Sequence, residues 1–245
     1  MSLHAARFCT EPLMNQKALK MKRPIKSLIL YAHPEPTSFC AALKDTACTV
    51  LSHHGEQVVV SDLYAQGFNP VAGRHDFKSS ADRQRFHYQT EQLHATQQQN
   101  FADDLAQEQE KFLAADRLIM IFPLWWGGAP AILKGWIDRV LACGIAYTDG
   151  ARFKTGLYPS KQGLLCVSTG GTAERFRDED VYGPIEKVLW PLQHLTIGYM
   201  GMTSLPPFIA YATPRIDQQQ REDYLKQWAH RLAELSHHTD DIEEA

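Results

Sequence analysis

The sequence predicts a parallel α/β sheet with helices packed on both of its faces. Short, continuous apolar runs such as SLILYA at 27–32 are typical of strands that are buried on both faces. Segments with apolar residues at helical spacing separate these runs, and strands that alternate with helices favour a parallel sheet. Such sheets bind ligands beyond the carboxyl ends of their strands, where the strand order reverses.

The first half of the chain contains a strand–helix–strand unit and a long polar segment. The run at 27–32 opens the sheet, and residues 39–54 place Ala, Leu and Val at helical spacing. QVVVSDLY at 57–64 has the β-branched content of a second strand. Residues 78–112 are polar and rich in glutamine, so we expect a surface insertion that ends in a helix near 102–113.

The second half of the chain continues the alternation. DRLIMIFP and GLLCVS are apolar runs of strand length, and the segments between them have helical periodicity. The pattern predicts a doubly wound, five-stranded parallel sheet with helices on both faces. The remaining elements are a strand at 116–123, a helix at 129–142, a strand at 163–168, a helix at 185–199, a strand at 205–211 and a helix at 217–235.

Length and composition predict one domain with two short appendages. The chain has 245 residues, of which 44% are hydrophobic, and this is enough for one sizeable core. Residues 1–24 lack hydrophobic periodicity, and we expect a disordered or loosely attached extension there. The domain then spans 25–236, and the acidic segment 237–245 is expected to be a solvated tail.

Charge, cysteine content and absent motifs argue against several classes of function. A net charge of -3 provides no basic surface for nucleic acid, and no apolar run has the length of a bilayer span. Five cysteines without CxxC spacing disfavour a disulfide framework and suit a reducing cytoplasm. The eleven histidines form no HExxH motif, so we predict no metal site. The sequence also lacks GxGxxG, GxxxxGK[ST] and GxSxG. The absence of these motifs disfavours a Rossmann dinucleotide domain, a P-loop kinase and a serine hydrolase, in that order.

The loop HPEPTSF follows the first predicted strand and precedes a helix. Thr37 or Ser38 is a natural N-cap, and capping alone would explain both hydroxyls. The functional alternative is a phosphate seat, because free N–H groups and the positive end of a helix dipole attract anions.

Two further loops carry unusual residues at predicted strand ends. Trp125 and Trp126 could plug the end of the sheet, or an indole could form a flat wall for a planar ring while Gly127 lets the backbone approach it. The STGG turn after the fourth strand permits N–H groups to point at an acceptor, although a GG pair alone is a weak signal. A phosphate seat, an aromatic wall and a donor turn are together what a flavin mononucleotide moiety needs.

Several long motifs, in this order, resemble the flavodoxin-like NAD(P)H:quinone oxidoreductases. That family includes DT-diaphorase, bacterial drug-activity modulators and ancillary flavoproteins of potassium-efflux systems. The resemblance runs from Ile25 to Leu235 and rests on LILYAHPEPTSF, VVVSDLYAQGFNP, FPLWWGGAPAILKGWIDRV, STGG, LWPLQH and MTSLPPF. It implies a flavodoxin-like fold, FAD as the cofactor with FMN as the alternative, and two-electron, ping-pong hydride transfer from NADH or NADPH through flavin N5 to a quinone. It also implies a cytoplasmic homodimer with two sites between subunits.

The resemblance assigns roles to individual residues. The flavin-binding positions that match are His33, Thr37, Ser38 and Phe39 in the first loop, Pro123, Leu124, Trp125, Trp126 and Gly127 in the second, Thr169, Gly170 and Gly171 in the third, and Arg221 near the adenosine end. The substrate side matches Trp126, Tyr147, Phe176 and Tyr182, with Tyr147 reaching the pocket from the other subunit. Tyr182 and the N–H groups of Gly170 and Gly171 are the expected catalytic groups.

This sequence departs from the family pattern at the two residues thought to relay charge at the reduced flavin. Mammalian members have a Tyr and a His where this chain has Phe176 and Tyr182, and Phe176 cannot donate a hydrogen bond. Two alternatives to the enzyme stay open at this point. One is a regulatory flavoprotein that docks on a membrane potassium-efflux transporter, and the other is a one-electron carrier like flavodoxin.

Overall fold

A computed structural model of the chain describes residues 23–241, with side chains as far as His237. All paired strands run parallel, in the order β2-β1-β3-β4-β5, and β6 also pairs with β4. This order confirms the predicted doubly wound sheet. The strands are β1 Lys26–Tyr31, β2 Gln57–Asp62, β3 Arg117–Pro123, β4 Gln162–Ser168, β5 Thr203–Ser204 and β6 Phe208–Ala210.

The fifth strand position is occupied by two short pieces, β5 and β6. Gln162 of β4 lies opposite Thr203, whereas Cys166 lies opposite Phe208, so one extra residue is inserted between the two pairings. Pro206 and Pro207 lie in this gap. Proline has no N–H group to donate to the ladder, which explains why the strand predicted at 205–211 is interrupted.

Helices cover both faces of the sheet. Alternate residues of β1 point to opposite faces, with Ile29 in the core beneath α1 and α6 and Leu28 in the core beneath the other helices. After α5, the chain continues through a π-helical turn, Gln193–Ile197. The helix predicted at 185–199 is therefore an α-helix that is followed by this π-helical turn. The helices are α1 Phe39–His53, α2 Tyr88–Gln98, α3 Asp103–Ala114, α4 Ala131–Val140, α5 Ile185–Leu192 and α6 Gln218–Asp241.

Both predicted appendages extend beyond the described residues. Residues 1–22 and 242–245 lie outside them, so the character of the extension and of the acidic tail stays a prediction. Arg23 forms an ion pair with Asp116 at 2.7 Å. Helix α6 continues to Asp241, six residues past the predicted end at Leu235, and therefore enters the segment predicted as tail.

The polar segment after β2 contains a helix with buried side chains and is therefore not only a surface insertion. It contains α2, which the sequence analysis did not predict, and the side chains of Glu91 and Gln92 on this helix are buried. Glu91 accepts hydrogen bonds from the amides of Ala81 and Asp82, and Gln92 accepts one from the amide of Cys143. The polar residues are buried because they satisfy backbone groups of the segment and of its neighbours.

A buried ion pair fixes this segment to α4. Arg139 Nη2 lies 2.7 Å from Asp76 Oδ1, and both side chains are almost fully buried. Tyr88 donates to the other oxygen of Asp76 at 2.5 Å, and Arg139 also donates to the carbonyl of Asn69. Gly135 lets α4 lie close to the segment after β2, since a Cβ there would lie 2.3 Å from backbone atoms of Pro70.

We expect Asp76→Ala to lower the free energy of unfolding by about 3–5 kcal/mol, because it leaves the guanidinium of Arg139 buried without its main counterion. Urea unfolding followed by circular dichroism measures this change. The control is Asp138→Ala. Asp138 lies on α4 next to Arg139 and forms an exposed ion pair with Lys134, so its loss should lower the free energy of unfolding by less than about 1 kcal/mol. Equal losses in the two variants would contradict the structural role of Asp76.

Candidate functional site

Three loops meet at the carboxyl edge of the sheet, after β1, β3 and β4. The amide of Leu124 donates to the carbonyl of Ser168 at 2.8 Å, which joins the second loop to the third. The thiol of Cys40 lies 3.1 Å from the hydroxyl of Ser168 and joins the start of α1 to the end of β4. The rings of His33 and Trp125 lie 6.1 Å apart between the first and second loops. The sequence-predicted loops therefore form one surface.

The first loop is arranged around the start of α1. Ser38 is the N-cap, and its hydroxyl accepts a hydrogen bond from the amide of Ala41 at 3.2 Å. Within the described part of the chain, the amides of Phe39 and Cys40 donate to no protein acceptor. Free amides at the positive end of a helix dipole form an anion site, and a phosphate group fits it.

Internal hydrogen bonds orient the other residues of this loop. Both the amide and the hydroxyl of Thr37 donate to Glu35 Oε1, at 2.9 and 2.6 Å. These hydrogen bonds hold the pKa of the exposed Glu35 carboxyl below its usual range. Thr37 therefore shapes the loop in this structure, and its hydrogen-bond donors are occupied. The amide of Glu35 donates to Nδ1 of His33 at 3.0 Å, so a neutral His33 carries its proton on Nε2.

The second loop is a tight turn that presents an exposed indole. The amides and carbonyls of Trp125 and Gly128 are paired at 3.0 and 3.1 Å, and between them Trp126 and Gly127 have φ values of +51° and +71°. A bulky side chain at positive φ is strained, and such strain is typical of functional sites. Trp126 is fully exposed, so it does not plug the sheet; Trp125 is partly exposed, Leu124 packs against the core, and Pro123 is buried at the end of β3.

The third loop has its carbonyls occupied and its amides free. The carbonyls of Thr169 and Gly171 accept from Thr213 and Ala212, and the carbonyl of Gly170 accepts from Arg215. Among the described residues, no acceptor receives the amides of Gly170 and Gly171. The turn therefore has two N–H groups without a protein acceptor among these residues, and these can donate to a ligand.

An aromatic pair covers this turn. Phe176 is buried and its ring centroid lies 5.1 Å from that of the half-exposed Tyr182. A Cβ on Gly171 would lie 3.0 Å from the ring of Tyr182 and 3.1 Å from that of Phe176, so the turn and the two rings are in contact. The hydroxyl of Tyr182 has no hydrogen-bond partner among the described residues. It is therefore available to a ligand, whereas Phe176 provides only apolar surface.

Arg221 has a buried nitrogen atom without a partner. It lies in the first turn of α6, and its Nε is one of three buried side-chain nitrogen or oxygen atoms, within the described residues, that lack a hydrogen bond. Arg117 Nη2 at the start of β3 and Ser204 Oγ on β5 share this property, so an unpartnered buried atom does not by itself mark a ligand site. The free amides on two loops and the exposed indole together fit a flavin nucleotide, which has a phosphate, a flat ring and a polar ring edge.

Tyr147 is a predicted site residue that the structure does not bring to the three loops. It lies in a groove of about 710 Å³ between α2, α4 and the π-helical turn, and no residue of the three loops lines this groove. Its ring packs edge to face against Tyr199 at 5.8 Å. Burial raises the pKa of its hydroxyl.

Three residues of the site were missed by the sequence analysis: Cys40, Ser168 and Arg215. Cys40 follows directly after the predicted phosphate segment, and Ser168 opens the STGG turn, so their positions were visible. Their contacts were not, because Cys40 and Ser168 are 128 residues apart in the chain. Within residues 23–241, no cluster of three or more His, Cys, Asp and Glu side chains is placed to hold a metal ion.

Comparisons with known proteins agree on one family. The family model described as flavodoxin-like fold matches residues 25–232. The chain is 42% identical over 208 residues to ribosyldihydronicotinamide dehydrogenase [quinone] of Pongo abelii, covering 84% of this chain and 90% of that protein. It is 38% identical to NAD(P)H dehydrogenase [quinone] 1 of Rattus norvegicus, with coverages of 84% and 76%.

Solved structures are similar over the same part of the chain. A candidate quinone reductase from Klebsiella pneumoniae has a TM-score of 0.82 at 38% identity, covering 86% of this chain and 85% of that one. The NAD(P)H:quinone oxidoreductase from Methanothermobacter marburgensis has a TM-score of 0.65 at 25% identity, with coverages of 87% and 98%.

We expect Trp126→Asn to raise the free energy of unfolding by roughly 1 kcal/mol, because Asn tolerates positive φ and Asn-Gly is the preferred pair for this kind of turn. The control is Trp126→Ala, which removes the same exposed indole but introduces a residue that tolerates positive φ less well than Asn does. Urea unfolding compares the two variants. A Trp126→Asn protein less stable than Trp126→Ala would contradict the assignment of strain to this turn.

Proposed function

The chain belongs to the flavodoxin-like family of NAD(P)H:quinone oxidoreductases, and we propose that it reduces quinones through a bound FAD by two-electron transfer. The observation that carries the proposal is the exposed indole of Trp126, held at positive φ beside two sets of free backbone amides. Positive φ at Trp126 strains the backbone, and its indole buries no surface within the chain. A planar ligand that stacks on it would account for both facts.

The residues of the three loops divide the cofactor between them. The amides of Phe39 and Cys40 bind the phosphate groups, and the Nε2 proton of His33 is available to the same part of the cofactor. Leu124, Trp125 and Trp126 line the ring system, with Pro123 and Gly127 at either end of this segment. Thr169 fixes the turn, since its hydroxyl donates to the carbonyl of Gly171 at 2.7 Å.

Arg221 supports FAD over FMN. FMN ends at its single phosphate, whereas FAD continues through a second phosphate to an adenosine. The buried Nε of Arg221 provides a hydrogen-bond donor that is already desolvated, and an unpaired buried donor is costly unless a ligand satisfies it. We assign this donor to the adenosine half of FAD.

A flavin held by these loops would supply the redox chemistry, which is hydride transfer from NADH or NADPH followed by two-electron reduction of the acceptor. The chain contributes orientation and charge stabilisation. The indole of Trp126 provides one wall for the nicotinamide and for the quinone, which use the same space in turn and so follow ping-pong kinetics. The amides of Gly170 and Gly171, with the hydroxyl of Tyr182, donate hydrogen bonds where negative charge develops at the ring edge. Phe176 supplies the apolar base beneath Tyr182.

A homodimer would complete the substrate side of the site. Tyr147 lies in a groove of about 710 Å³ that is separate from the three loops of its own chain. Trp190 and Leu195, on and after α5, are each about half exposed, and exposed apolar residues beside a groove favour a subunit interface. In a twofold dimer, Tyr147 of one subunit would reach the pocket of the other.

The cytoplasm is the proposed location, since the four cysteines within the described residues are all free. No described helix combines the length and the apolar character that a bilayer span requires. Docking on a membrane transporter stays a prediction. A pull-down from membrane fractions tests it, because a dedicated regulator would recover one transporter in stoichiometric amounts.

The visible absorption spectrum of the purified protein tests the proposal directly. We expect a flavin spectrum that bleaches in one two-electron step when NADPH is added without oxygen, and the released cofactor should be FAD. Addition of a quinone should then restore the spectrum. A protein that stays colourless after incubation with either FAD or FMN would refute the proposal, and released FMN would refute the role of Arg221.

We expect Tyr182→Phe to slow reduction of the bound flavin by NADPH by about tenfold, because it removes one hydrogen-bond donor from the site of developing charge. Stopped-flow absorbance measures this rate. Tyr211→Phe is the matched control, since the ring centroids of Tyr211 and Phe176 lie 5.8 Å apart. Loss of the Tyr211 hydroxyl should leave the rate of flavin reduction unchanged. An unchanged rate in Tyr182→Phe would remove this hydroxyl from the mechanism.

A further inference from the structure

We propose that the contact between Cys40 and Ser168 is a brace that sets the spacing between the two sets of cofactor-binding amides. Cys40 and Ser168 are then positioning residues for flavin binding, and the inference rests on the proposed function. The Sγ of Cys40 and the Oγ of Ser168 lie 3.1 Å apart, and both side chains are buried.

Ser168 is the residue at which the three loops are joined. Its carbonyl accepts the amide of Leu124 at 2.8 Å and so holds the loop that carries Trp126. Its hydroxyl contacts Cys40 at the start of α1, and its own chain continues into the Thr169–Gly171 turn. One residue therefore connects the phosphate seat, the aromatic wall and the ring-edge donors.

Cys40 connects this point to the phosphate seat itself. It is the second residue of α1, and its own amide is one of the two that are free at the helix start. The amide of Cys40 would thus contact the cofactor while its side chain contacts Ser168 at the end of β4. A shift of the thiol toward or away from Ser168 would move the free amide with it.

The chemistry of the pair suits a fixed hydrogen bond. Burial raises the pKa of the Cys40 thiol to about 11, so the sulfur keeps its proton at neutral pH and can donate to Ser168. Neither side chain has another hydrogen-bond partner within the described residues. The rest of α1 is held by apolar packing of Leu43, Ala47 and Leu51, which does not depend on the brace.

Flavin release from the full-length holoprotein tests the brace. Free flavin fluoresces more strongly than bound flavin, so dilution gives the dissociation rate without any turnover. We expect Cys40→Ala to raise this rate roughly three- to tenfold, the effect of losing one buried hydrogen bond. Cys40→Ser keeps a donor and an acceptor and should restore the rate to within about twofold of the parent.

The matched control is Cys166→Ala. Cys166 lies on β4 near Cys40 and is also fully buried, so this variant removes a neighbouring buried sulfur but leaves both hydrogen-bonding partners of the brace in place. It should destabilise the fold and leave the dissociation rate unchanged. Ser168→Ala should reproduce the rate of Cys40→Ala, and the double variant should be no faster than either single variant. Ser168→Ala decides the question if Cys40→Ala does not fold.

The outcomes separate this inference from the proposed function. A parent protein that carries flavin and reduces quinones, but whose Cys40→Ala and Ser168→Ala variants release flavin at the parent rate, would refute the brace alone. Equal acceleration in Cys166→Ala, or independent effects in the double variant, would also refute it. A parent protein that binds no flavin would refute both.

Discussion

The parallel pairing of β1, β3 and β4 is the constraint on which the rest of the structure depends. Tyr31 of β1 lies opposite Ile121 of β3, which lies opposite Cys166 of β4, so the three strands end at nearly the same level. Parallel strands place all their carboxyl ends on one edge, and each must be followed by a loop that leads back over a face of the sheet. Three loops that are far apart in the chain are therefore brought to one surface.

The two edges of this sheet are built differently. At the amino edge, the buried carboxylate of Glu56 accepts hydrogen bonds from Ser27, Arg117 and Ser236, and Nη2 of Arg117 lacks a partner within the described residues. At the carboxyl edge, amides of the first and third loops have no protein acceptor and an indole is fully exposed. A ligand can satisfy the free amides and cover the indole at the carboxyl edge, so the combination of the two favours this edge as the functional one.

The proposed cofactor site and the groove that contains Tyr147 lie in different parts of the chain. The proposed cofactor site is formed by three loops that meet around Ser168. The groove that contains Tyr147 depends instead on the segment after β2, which the Asp76–Arg139 ion pair fixes to α4. The groove and the three loops share no lining residue among those described.

The sequence by itself determined the order of strands and helices, the positions of the three loops and the family, because hydrophobic periodicity and local motifs are properties of neighbouring residues. It did not predict α2, because the polar residues of that helix are buried through hydrogen bonds to backbone groups elsewhere in the fold. The sequence also left open whether Trp126 is core or surface and whether Thr37 binds a ligand. Only the tertiary structure decided that Trp126 is exposed, that Thr37 donates to Glu35, and that Cys40 contacts Ser168. These outcomes depend on partners and packing that the fold supplies, and no local pattern in the sequence encodes them.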